Sequence, residues 1–208
     1  MSRPSPTDPV EPAGRGCFVK TYTCTRDRSR DAGSDYVAEF RALGAHYRSR
    51  LACVAIAGIR VSRTLDESAS EMQGRWHDDA VGLAFVWGEQ TAIVGCGNRT
   101  PRPVLAGVGT ETCIAHQCRS HNFRVGVRGE TLARLLRDPA TASALEPWLR
   151  RGAQWPQSSA RAEWRLQRAI ADAARFAERV VASEMTPTAA LTAVAQDAAG
   201  SLVELLRE

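Results

Sequence analysis

Four residues able to bind metal or exchange thiols, Cys113, His116, Cys118 and His121, fall within nine positions of the segment ETCIAHQCRSHNF (111–123). Half of the chain's four histidines are here. Thiolate and imidazole are the usual ligands of tetrahedral zinc, which takes about four of them. Strand geometry opposes that use. Successive side chains of a strand alternate faces, so Cys113 and His121 should point one way and His116 and Cys118 the other. Only a tight turn would gather all four. The segment is expected to be a strand at the rim or in the interior of a β structure.

Other chemistries find weaker support. GVGTET (107–112) and GCGNRT (95–100) each hold G-x-G but no third glycine, and neither opens a helix as a phosphate-binding loop must. Both are expected to be turns. Histidines 46, 77, 116 and 121 leave a nucleophilic triad open, yet no serine sits in a G-x-S-x-G elbow. HDDA (77–80) reads as a solvated hairpin turn rather than a cation site. The aromatic content of the β region is more telling. Trp76, Phe85 and Trp87, with Arg60, Arg63 and His77 nearby, suit an apolar pocket with a few polar groups that orient a small ligand. The competing reading of Phe85 and Trp87, which share a strand face, is plain core.

Composition narrows the class. Hydrophobic residues at 44% supply a real core and 24% charged residues are ordinary for a globular domain. Lys20 is the only lysine among 27 basic residues, which alongside abundant alanine reads as codon bias. Basic and acidic residues number 9 and 6 over 1–50, 10 and 9 over 51–140, and 8 and 8 over 141–208. No basic stripe of the kind that neutralises a phosphate backbone results. The polar, proline-rich start MSRPSPTDPVEPAGRG lacks the apolar segment of a signal peptide, and LACVAIAGI (51–59) is too short to span a bilayer. A cytoplasmic protein with six reduced cysteines and no membrane partner is expected.

Residues 1–16 read as a disordered tail, and GCFVKTYTCT (16–25) as a strand followed by the charged turn RDRSRDAGSD. DYVAEFRALGAHY (35–47) reads as a short helix capped by Asp35, burying Val37, Phe40 and Leu43 and ending at Gly44. From 51 to 128, strand-length pieces follow: LACVAIAGIRVSR, AVGLAFVWG, TAIVGC, RPVLAGV, TCIAHQC and NFRVGV. The period then becomes helical, through Leu132, Leu135 and Leu136 up to Pro139, then Leu145 and Leu149, with a connector at 152–158. A long helix over 159–183 buries Leu166, Ile170, Ala173, Ala177 and Val180. The last helix opens at Thr186 and Pro187 and carries a heptad-like seam of Leu191, Ala195, Ala198, Leu202 and Leu205. That seam is expected to meet a second copy of the chain.

This order resembles the N-terminal sensor and dimerisation region of AraC/XylS-type transcriptional regulators over about residues 18–208. GIRVSRT is similar to an early strand of that family, VWGEQTAIVGCG…PVLAGVG to its strand and glycine-containing turns, and FRVGVRGETLARLL to its closing strand and leucine-bearing helix. The resemblance implies a cupin-like barrel (double-stranded β-helix) that binds an effector and helices that dimerise. Paired helix-turn-helix motifs are missing from these residues. The final SLVELLRE offers two glutamates and one arginine, poor for reading base edges, so it is taken as a dimer helix. The H-x-H ligand pair of metal-binding cupins is also missing.

The sequence therefore predicts an α+β chain: a tail (1–16), a β-barrel effector-sensing domain (17–137) and a helical dimerisation segment (138–208). The effector would meet Arg60, Trp76, His77, Phe85 and Trp87. The expected partners are a small-molecule effector, a second copy, and DNA only through a helix-turn-helix region outside this chain. No enzyme activity, metal or other cofactor is expected. One alternative is a cupin-like metalloenzyme using His116, Cys118 and His77. Another is a stand-alone protein that forms mixed dimers with a regulator.

Overall fold

Along LACVAI and IRVSRTLD the two faces of each strand differ in chemistry, and that difference organises the protein. In the computed structural model β3 (Ser49–Ile56) and β4 (Ile59–Asp66) form a hairpin, and one face carries Val54 and Val61 while the other carries Arg60, Ser62, Thr64 and Asp66. The structure describes residues 16–30, 36–77, 79–88, 92–94, 103–106, 111–149, 158–183 and 188–208. The sequence reading ran LACVAIAGIRVSR together as one strand; the chain instead turns at Ala57 and Gly58, both with positive φ (49° and 73°). A Cβ on Gly58 would stand 2.7 Å from the Arg128 carbonyl, so glycine is the residue that fits.

Among the described residues, ten strands pair antiparallel into two sheets. The first runs β1 (Cys17–Tyr22), β3, β4, β10 (Ser120–Arg128), β6 (Ala80–Gly88), β8 (Pro103–Ala106). The second runs β2 (Tyr36–Ala42), β5 (Ser70–Trp76), β9 (Glu111–His116), β7 (Ala92–Val94). The α+β class is as expected. Among the described residues no strand ladder joins one sheet to the other, so the expected closed cupin-like barrel is not seen there.

The helix expected over 35–47 is corrected to strand β2. Its residues pair with β5 throughout, Ala38 opposite Gly74 and Phe40 opposite Met72, and a complete ladder outweighs a modest helical period. Asp35, its expected cap, lies outside the described residues, as do 1–15, the two G-x-G segments apart from Glu111 and Thr112, most of the 152–158 connector, and Thr186 with Pro187. Within the charged segment after β1, residues form a short helix α1 (Thr25–Arg30).

After β10 come α2 (Gly129–Leu135), α3 (Pro139–Leu149), α4 (Ala160–Ser183) and α5 (Thr188–Arg207). They cover one face of the first sheet. Leu166, Ile170, Ala173, Ala177 and Val180 of α4 are buried as the spacing predicts, in one core with Val54, Val61, Leu83, Phe85 and Val125. Arg50 and Arg63 both reach Glu178 of α4, at 3.2 and 3.8 Å, tying sheet to helix. By length and composition α5 could cross a bilayer. Its apolar side is instead packed into this core.

Candidate ligand site between the sheets

The other face of the first sheet looks at the second sheet, and it is polar. Register places Ser49, Asp66 and Ser120 in one row across β3, β4 and β10, and Leu51, Thr64 and Asn122 in the next. Arg124 stands in the row beyond, opposite Ser62. All of these polar side chains are buried. From the facing sheet come Ser70 and His116, paired across β5 and β9, and α1 adds Arg28.

Contacts within and across this interior are specific. Ser70 Oγ is 2.9 Å from His116 Nε2, and Asp66 Oδ2 is 3.7 Å from that same nitrogen. Arg28 Nη2 donates to Thr64 Oγ1 at 3.3 Å. Arg124 Nη2 approaches Met72 Sδ at 3.5 Å. Each buried arginine also stands over a ring: Arg28 over Phe40 (4.6 Å) and Tyr22 (5.3 Å), Arg60 over Phe18 (5.6 Å), Arg124 over Trp76 (5.8 Å). The rings lend each cation a partial counterweight.

Burial holds the His116 imidazole below its ordinary pKa, against the opposing pull of Asp66, so near neutral pH the ring is uncharged. Tyr47, on the same side, is pushed up to about 12 by burial and by the charge of Asp66, with Arg28 and Ser49 pulling the other way. A set of buried atoms has no hydrogen-bond partner: Arg28 Nε and Nη1, Asp66 Oδ1, His116 Nδ1, Ser120 Oγ and Asn122 Oδ1. Native interiors rarely tolerate such a concentration, since each unpaired group costs about 1–3 kcal/mol.

The constellation is not a nucleophilic triad. A triad needs the acid at one imidazole nitrogen and the hydroxyl at the other; here Asp66 and Ser70 share Nε2 and Nδ1 is left over. The set His116, Cys118 and His77 does not converge either. His116 is inside on β9, Cys118 is in the turn between β9 and β10, and His77 is in the turn after β5, its carbonyl accepting from Ala80 at 3.0 Å. Among the described residues no three His, Cys, Asp or Glu side chains group as a metal requires.

The pairing expected within ETCIAHQCRSHNF is also corrected. A turn at 117–119 splits it into β9 and β10, which belong to different sheets. Cys113 lies on the outer side of the second sheet, 3.5 Å from Glu71, while His116 is inside. His121 is in register with Leu65 and Trp87 on the helix-facing side of the first sheet.

Of the expected effector residues, Arg60 and Trp76 do lie between the sheets. Phe85 does not. It pairs with Phe123 on the opposite face and is 1% exposed in the helix-packed core, because strand alternation separates it from Ala84 and Val86. Only the backbone of Trp87 is described. The seam residues Leu191, Ala195, Ala198, Leu202 and Leu205 are all within the chain's own core. The partner expected from a second copy is thus supplied by α4 and the first sheet, the nearest apolar surfaces. Sequence reasoning missed Arg28, Thr64, Asp66, Ser70, Ser120, Asn122 and Arg124; the available signal was polar residues at every second position of β4 and β10.

No protein-family model and no curated protein matches this sequence. Among solved structures the chain is similar to the crystal structure of the AraC-like transcriptional activator CuxR, with a TM-score of 0.44 and 9% identity. The superposition covers 82% of this chain and 62% of that one, so this chain spans less than two thirds of that protein's length.

Proposed function

We propose that this chain is the effector-binding module of an AraC-type transcriptional regulator and that the effector enters between the two sheets. The observation that carries the binding site is the set of buried polar atoms without partners on β4, β9, β10 and α1. A small polar ligand would satisfy them together. The regulator assignment rests on the resemblance of the strand and helix order, and DNA contact would fall to a helix-turn-helix region outside these 208 residues.

The architecture suits signalling. On β4 the even positions 60, 62, 64 and 66 face the ligand side, while Val61 and Arg63 face the helices. A ligand that prefers one strand position shifts α4 through residues one peptide away, provided its affinity differs between the two arrangements. The homodimer belongs on another surface than the seam. The outward side of α4 and α5 presents Trp164, 55% exposed, beside a groove edged by Arg165, Arg168, Asp172 and Glu204.

The test is a thermal-shift screen of small metabolites on the wild type and on Ser120→Val/Asn122→Leu. Compounds that stabilise only the wild type support the site. If every stabilising compound acts equally on both proteins, the site is elsewhere.

A further inference from the structure

We propose that the ligand taken up between the sheets is a small hydroxylated carboxylate, its anionic group held by Arg28 and its hydroxyls by Asp66 and Asn122. This rests on the interior being the binding site.

Arg28 is the reason for the negative charge. Its guanidinium is always protonated, the residue is 4% exposed, and Nε and Nη1 have no acceptor. Its hydrogen-bonding partner, Thr64, is neutral. The rings of Tyr22 and Phe40 soften the burial of charge but accept no N–H bond in plane. A buried guanidinium in that state calls for an anion, and a carboxylate meets its N–H groups in the matching geometry.

Asp66 and Asn122 are the reason for the hydroxyls. Asp66 Oδ1 and Asn122 Oδ1 are both acceptors without donors. A second carboxylate group beside Asp66 would repel it, whereas a hydroxyl donates. Thr64, which anchors Arg28, and Asp66 are two apart on one strand face, roughly 7 Å. Anion and hydroxyls must therefore sit within one small molecule of sugar-acid size.

The experiment is calorimetric titration of the full chain with threonate, xylonate and gluconate, against the matching polyols threitol, xylitol and sorbitol and the plain acids butyrate, pentanoate and hexanoate. At least one hydroxy acid is expected to bind about tenfold or more tightly than its polyol and its plain acid. Arg28→Met should abolish that binding, and Asp66→Asn should weaken it. Without ligand, Arg28→Met should stay folded and melt near the wild-type temperature, because the side-chain hydrogen bond it gives up is to a neutral hydroxyl. If Arg28→Met unfolds the protein, Arg28 is structural and the proposal falls. A polyol that binds as well as its acid overturns the anion but leaves the site; no binding by any hydroxy acid overturns the ligand class. The screen with Ser120→Val/Asn122→Leu then shows separately whether the site itself survives.

Discussion

The indole of Trp76, on the second sheet, lies over Gly82 of the first, in the space a side chain would occupy. Glycine at 82 thus lets the two sheets close at one end of the interior, with Arg124 standing against the same indole. Gly82→Ala forces the ring to move. We expect a loss of about 1–3 kcal/mol, seen in urea unfolding, together with a shift in tryptophan emission. Unchanged stability and emission would mean that Trp76 is not seated there.

Phe85 should behave as core. Phe85→Ala is expected to cost about 3–5 kcal/mol in chemical denaturation. Compounds found in the metabolite screen should still bind the variant at temperatures where it remains folded. Selective loss of binding with intact stability would return Phe85 to the ligand site.

Two histidines make the fold sensitive to mild acid. His116 and His121 are both held below the ordinary histidine value, mainly by burial. The unfolded chain therefore takes up protons first, near pH 6.5. Stability contributed by the neutral rings is present above that value and is lost as pH falls from it towards the folded-state values. Denaturant midpoints between about pH 7 and pH 5 should fall, and less steeply in His116→Gln. A flat profile would contradict the burial of these rings.

Tyr47 sets the alkaline side. With its hydroxyl raised to about 12, the folded state keeps its proton longer than the unfolded state, whose value is about 10. Stability is full below about 10 and declines as pH rises towards the folded value. Ultraviolet titration should show a late tyrosine ionisation that Tyr47→Phe removes.

Surface and seam can be separated by their opposite responses. Leu202, 2% exposed in the shared core, should unfold the chain when changed to Glu. Trp164→Glu should leave the melting temperature nearly unchanged while light scattering reports monomer in place of dimer. A folded, monomeric Leu202→Glu would restore the seam as the dimer contact.

Helices were the most legible elements. The 4-3-4-3 spacing of Leu166 to Val180 and of Leu191 to Leu205 marks the faces of α4 and α5 that are buried. What covers those faces was not legible, since a seam of Ala and Leu suits a second copy as well as a neighbouring helix. The strand pieces were largely legible too, but Tyr36–Ala42 and Ser70–Trp76 were not. The seven residues of Tyr36–Ala42 satisfy a helical and an alternating pattern alike, and only the ladder with β5 decides; SEMQGRW carries too few apolar residues to stand out as a strand.

The sequence by itself determined that the chain is α+β, that its strands precede its long helices, and which side of each helix is apolar, because these follow from local periodicity. Tertiary structure alone decided the site. Arg60, Ser62, Thr64 and Asp66, or Ser120, Asn122 and Arg124, look in sequence like a solvent face; the second sheet, laid over them, turns it into a buried polar interior. Alternation tells which residues share a face, never what stands opposite. For the same reason Cys113 and His121, which seemed to share one strand face, ended on different sheets, and His116 alone of that segment's four ligand-type residues is buried between the sheets.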